Sequence, residues 1–119
     1  MTHHFNRNYY LRDMYIVIYR FKVKQNLDQD FIKSWKGLTD LIYKYEGSLG
    51  SRLHKEKLNY YIAYAQWPSK TVFENSGGKL PIEAIKYRDS MRLACEEIEV
   101  SNKLEVVEDL LMDKIHAEK

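Results

Sequence analysis

From Met14 to Lys24 the chain reads MYIVIYRFKVK. A period of two puts Tyr15, Val17, Tyr19, Phe21 and Val23 on one face and Met14, Ile16, Ile18, Arg20 and Lys22 on the other. The first half of this strand is apolar on both faces, so it needs cover from helices on one side and from a second subunit on the other. The period then changes. Asn26 and Gln29 have capping-box spacing, Asp28 and Asp30 fall in the first turn, and Phe31, Trp35, Leu38, Ile42 and Tyr45 recur at steps of four and three as far as Gly47. The spacing predicts a helix with Trp35 in its packed stripe.

Two further strand-like runs, Leu49 to Glu56 and Asn59 to Trp67, are joined by a charged turn at Lys57-Leu58 and read as the central hairpin of a sheet. Arg52 and His54 project from one face of the first run, while Tyr61, Ala63, Ala65 and Trp67 share a face of the second. Two alanines between large aromatics leave a hollow there, open to a helix side chain or to a ligand. Pro68-Ser69 starts a short helix capped by Ser69, and Ser76-Gly77-Gly78 breaks it. Pro81 opens a longer helix with a stripe of Ala84, Tyr87, Met91, Ala94 and Ile98. Cys95 lies beside that stripe, where a buried, inert thiol is expected. A last strand is expected around Leu104 to Leu110. This order gives an α+β fold, ferredoxin-like βαββαβ with a four-stranded antiparallel sheet.

At 119 residues the chain fits one domain, taken as 14–111, with a flexible arm at 1–13 and a charged tail at 112–119. A formal charge of +2, with no face collecting the Lys and Arg, argues against a nucleic-acid partner. One cysteine excludes an internal disulfide and points to a cytoplasmic setting. The opening residues lack a signal-peptide pattern, and no apolar run approaches the roughly 20 residues of a membrane span. The four histidines are scattered over different segments, so no metal site is expected. Nucleophile elbows and phosphate-binding glycine loops are also missing.

What remains is an aromatic set with polar tips: Tyr19, Arg52, His54, Tyr61, Tyr64, Trp67 and Tyr87. Such side chains can stack on a flat molecule, orient it and stabilise an anionic form, although each also has an ordinary packing role open to it.

The run GSLGSRLHKEKLNYYIAYAQWPSKTVFE, with its strand ending in Trp67 and followed by Pro-Ser-Lys, resembles the central hairpin and next helix of antibiotic biosynthesis monooxygenase domains. The likeness in element order extends over roughly Met14 to Leu111. It implies a dimeric α/β barrel in which two sheets meet face to face in a homodimer. It also implies oxygenation of a small aromatic or quinone-like compound by O2 without metal or flavin, or else simple small-molecule binding of the stress-response kind. In that setting Trp67, His54 and Tyr19 would be catalytic, and Arg52, Tyr61, Tyr64 and Tyr87 would hold the substrate. Haem-degrading relatives use an Asn on the first strand and a His on the later helix. Here Tyr19 stands at the place of the Asn and Pro81 to Ile98 holds no His, so haem degradation is not implied.

Overall fold

The computed structural model describes residues 13–111, and the expected arm and tail lie outside these but for Asp13. The elements in order are β1 (Tyr15–Val23), α1 (Asp28–Glu46), β2 (Gly50–Lys57), β3 (Tyr60–Trp67), α2 (Lys70–Glu74), α3 (Glu83–Ala94) and β4 (Cys95–Glu105). The strands form one antiparallel sheet ordered β2-β3-β1-β4, the ferredoxin-like arrangement.

In the centre of the sheet Tyr19 pairs with Ala63, Val17 with Ala65 and Tyr15 with Trp67. Alternate residues of β3 are buried, so Tyr61, Ala63, Ala65 and Trp67 form the helix side of the sheet together with Tyr15, Val17 and Phe21. Phe31 of α1 is fully enclosed between Phe21 and Tyr61, with ring centroids at 4.8 and 5.2 Å. Tyr61 also donates a hydrogen bond from its hydroxyl to Asp28 Oδ2 at 2.5 Å, which ties the start of α1 to the sheet.

The two ends of α1 differ from each other. Gly47 closes the helix at φ +84°, the left-handed geometry that glycine tolerates best. Asn26, expected as the cap, instead stands at φ +68° in the turn before the helix; the N-cap position falls on Leu27, which has no capping side chain. The tight turn there, with Leu27 N–H on the Lys24 carbonyl, takes Asn26 out of capping position. The buried stripe of α1 holds Phe31, Ser34, Leu38 and Leu41. Trp35 and Ile42 are half-buried on its flank and Tyr45 is exposed. Ser69 caps α2 as expected, its Oγ accepting the Val72 N–H at 3.2 Å.

The largest departure concerns the last strand. Pairing with β1 begins at Cys95, directly after α3, and ends at Glu105, close to where the expected strand begins. Ile98 therefore belongs to β4 opposite Phe21 and not to the helix stripe. Pairing with a central strand outweighs the helical preference of Glu96, Glu97 and Glu99.

Helices α1 and α3 approach closely at Gly37, where a methyl group in place of the glycine hydrogen would fall within 2.6 Å of Tyr87 Cδ1 and Cζ and nearer still to Cε1. The two edges of the sheet differ in charge: β2 carries Arg52, Lys55 and Lys57 against Glu56, while β4 carries Glu96, Glu97, Glu99 and Glu105 against Lys103.

Candidate functional site

Small residues on a sheet face leave a depression beneath the helix layer. Ala63 and Ala65 of β3 do so here, forming part of the wall of a cavity of about 210 Å³ between the sheet and α1. Tyr19 and Phe21 of β1 and Trp67 at the end of β3 complete the central sheet wall. From α1 come Trp35, Leu38, Thr39 and Ile42, with Met91 of α3 and Ile98 of β4 at the sides. Ser48 and Ser51 supply hydroxyls near the start of β2. Among the described residues that line it, none is charged.

The polar atoms of this wall divide by role. Ser51 Oγ donates to the Tyr64 carbonyl at 3.0 Å; Ser48 Oγ donates to the Gln66 carbonyl at 3.4 Å and accepts the Gly50 N–H at 2.9 Å. Both serine protons are therefore engaged, leaving these hydroxyls to face a ligand as acceptors. Trp67 is 4% exposed, and its Nε1–H is enclosed with no hydrogen-bond partner among the described residues. An enclosed, unsatisfied donor costs on the order of 1–3 kcal/mol. Phe73 of α2 braces the indole edge-on at a centroid distance of 5.4 Å. Burial pushes the Tyr19 hydroxyl above the usual tyrosine value, so it remains a neutral phenol.

The residues expected to share a site do not all gather here. Trp67 and Tyr19 line the cavity. Tyr61 lies on the same side of the sheet but is packed on Phe31 and bound to Asp28, outside the cavity wall. Arg52 pairs with Tyr64 and His54 with Ile62, which places all three expected residues, Arg52, His54 and Tyr64, on the opposite side of the sheet. The alternation of the strands is the cause, since neighbours in a strand face opposite ways. Arg52 and Tyr64 line a shallow cleft of about 170 Å³ with Gly50 and Gln66. The exposed His54 ring has Nδ1 at 3.3 Å from the Ile62 carbonyl, a hydrogen bond when that nitrogen carries the proton. Tyr87 packs over Gly37 and borders a separate open groove of about 390 Å³ between α1 and α3. Among the described residues, neither a cation nor an imidazole is thus at hand inside the cavity to hold an anion.

Trp35, Thr39, Ser48, Ser51 and Met91 belong to the cavity although the sequence pattern does not mark them as site residues. Cys95 is buried, and desolvation pushes its thiol up to about 11, with Lys24 pulling slightly the other way, so it is an inert core residue. No group of metal-ligating side chains occurs among the described residues. No helix among them is long and apolar enough to cross a membrane.

No family model matches the chain, and no curated protein sequence does either. Solved structures do. The N63A variant of SnoaB, a cofactor-independent oxygenase from Streptomyces nogalater, superposes with a TM-score of 0.67 at 17% identity, covering 82% of this chain and 97% of that one. A candidate antibiotic biosynthesis monooxygenase from Caulobacter crescentus gives a TM-score of 0.64 at 22% identity, covering 88% and 100%. A conserved protein from Methanosarcina mazei gives 0.66 at 15% identity, covering 82% and 97%. The chain has the fold of the antibiotic biosynthesis monooxygenase structures, as the run around Trp67 led one to expect.

Proposed function

We propose that this protein binds a small, flat ring compound in the cavity beside Trp67 and oxygenates it with O2, without a metal or organic cofactor. The observation that carries the reading is the uncharged, largely apolar cavity of about 210 Å³ between the sheet and α1, with Tyr19, Trp35 and Trp67 among its lining residues. Trp67 and Trp35 would stack on the ring, and neutral Tyr19 would contribute a hydroxyl. The likeness to SnoaB supports the cofactor-free chemistry. With a hydroquinone, one atom of O2 would become a new ring oxygen and the other would leave as water. The substrate supplies the electrons and ends as the hydroxyquinone.

A second copy would sit across the outward sheet face, where Ile18, Ile62 and Tyr64 are half-exposed, with Arg52 and His54 on the flanking β2. Oxygen uptake with a panel of hydroquinones tests the reading: Trp67→Phe should lower it at least tenfold with the fold retained. Absence of uptake by the unmodified protein across the panel refutes the oxygenase. The uncharged cavity wall favours a second reading, a binding protein without turnover, which predicts thermal stabilisation by ring compounds and no product.

A further inference from the structure

The β2–β3, β1–α1 and α3–β4 connections meet at one end of the sheet. The hairpin tip is tied to β1 by the Val23 N–H on the Asn59 carbonyl at 2.7 Å, and β1 to the end of α3 by the Lys24 N–H on the Ala94 carbonyl at 2.9 Å. Two leucines stand out there, Leu58 at the hairpin tip, 75% exposed, and Leu93 in the last turn of α3, 71% exposed. Exposed lysines accompany them: Lys24, Lys55 and Lys57 on the side of Leu58, and Lys33 and Lys86 along the groove of about 390 Å³ that Leu27 and Leu93 line. We infer that this end of the molecule docks on an anionic lipid bilayer, its lysines on the headgroup phosphates and Leu58 and Leu93 entering the interfacial layer.

Charge decides what this end can face. Glu56 is engaged by Arg20 at 3.3 Å and Glu96 by Lys22 at 3.4 Å, while Asp28 accepts the Tyr61 hydroxyl. Among the described residues, none of the five lysines is in an ion pair, and Asp30, Asp89 and Glu97 are the acids left to oppose them. The positive excess suits an anionic surface. Between the two leucines lie the exposed Lys24, Gln25 and Asn26, so there is no continuous apolar patch to form the core of a protein interface. Single leucines can still enter a fluid lipid layer one at a time, while the lysine stems let the ammonium groups stay at the phosphates. A nucleic acid is matched less well. Tyr60, next to the tip, already has the Lys57 and Lys22 ammonium groups over its ring, at 4.7 and 5.9 Å, and is not free to stack on a base. Contact of this kind rests on a bilayer and needs no membrane-crossing helix. None of these side chains lines the cavity beside Trp67, so the inference is independent of the cavity reading.

The full chain is sedimented with sucrose-loaded vesicles of phosphatidylcholine alone, or with phosphatidylserine as about a third of the lipid. Binding should be at least about tenfold tighter to the serine-containing vesicles and should fall about tenfold between about 0.05 and 0.5 M salt. Lys55→Gln and Lys57→Gln should each weaken it about fivefold, and Leu58→Ser by a similar factor. These positions are exposed, so the variants keep the fold. Because Cys95 is buried and unreactive, an environment-sensitive dye can be placed on Leu58→Cys, where its emission should shift to the blue on the anionic vesicles. The same dye on Glu74→Cys in α2, beyond the opposite end of β3, should not shift. Equal binding to both kinds of vesicle, or binding to neither, overturns the inference. An unshifted dye at position 58 on sedimenting protein, or equal shifts at both positions, overturns it as well. Mixed-sequence single-stranded RNA bound as tightly as the anionic vesicles, and unaffected by Leu58→Ser, would assign this end to nucleic acid and likewise overturn the lipid surface.

Discussion

Replacing Gly37 with alanine sets two effects of similar size against each other. In a helix interior alanine is favoured over glycine by about 1 kcal/mol. The new methyl would, however, stand 2.6 Å from Tyr87 Cδ1 and Cζ, with Cε1 between them nearer still. The ring would have to withdraw by roughly 1 Å to restore a carbon contact of about 3.5 Å. The contact involves the body of the ring and not a flexible tip, so relief requires α1 and α3 to part or the ring to swing out. Overpacking of this kind costs about 1–3 kcal/mol. Gly37→Ala should therefore destabilise the protein by about 1 kcal/mol. In a Tyr87→Ala background the clash is gone, and the same change should stabilise by about 1 kcal/mol. The coupling is then about 2 kcal/mol, well beyond the additivity of independent sites. With a urea slope of about 2 kcal/mol per molar, the midpoint moves down by roughly 0.5 M in one background and up by roughly 0.5 M in the other. Equal upward shifts in both would show that Gly37 is not needed for the helix contact. Since α1 also supplies Trp35, Leu38 and Thr39 to the cavity, the single variant should weaken ring-compound binding as well.

Three further outcomes follow from the geometry. Phe31→Ala empties a fully enclosed site between two rings and should cost about 3–5 kcal/mol in chemical denaturation; a loss under about 1 kcal/mol would contradict the packing. Burial, and then the bond to Asp28, push the Tyr61 hydroxyl up to about 12. A folded value above the unfolded one of about 10 means that its contribution is whole below pH 10 and is lost as the pH rises toward 12. The stability advantage of the wild type over Tyr61→Phe should therefore stay level from pH 7 to 9 and shrink above 10, and a difference constant to pH 12 would count against this. With its thiol raised to about 11, Cys95 should react with iodoacetamide at pH 8 about a hundredfold more slowly in the native protein than in urea, as followed by mass spectrometry.

The central strands were legible because β-branched and aromatic residues at a period of two leave little else for Tyr15–Val23 and Tyr60–Trp67 to become. Strand β4 was not, since Met91, Ala94 and Ile98 continue a helical spacing and three glutamates share the stretch; only the presence of β1 alongside turns it into a strand. The same division holds for the cavity. Trp67 and Tyr19 were expected in one site and the register of β1 on β3 brings them to one face, whereas Arg52 and His54 were expected with them and the pairing of β2 with β3 turns both to the other face, because alternation within a strand does not say which face meets which across strands. How far α1 stands off the two alanines depends on how the whole helix seats on the sheet, through contacts such as Phe31 on Phe21 and Tyr61, and no local pattern encodes that distance. Trp35, Thr39 and Met91 reach the cavity through it.

The unlike charges on β2 and β4 reach beyond the single molecule. Bare sheet margins invite further strands to join them without limit. Here two molecules meeting by the same margin repel, whereas cationic against anionic margins attract. Added salt mutes both responses. Encounters between two such margins are therefore salt-dependent, with unlike margins favoured in dilute buffer and neither pairing favoured in brine.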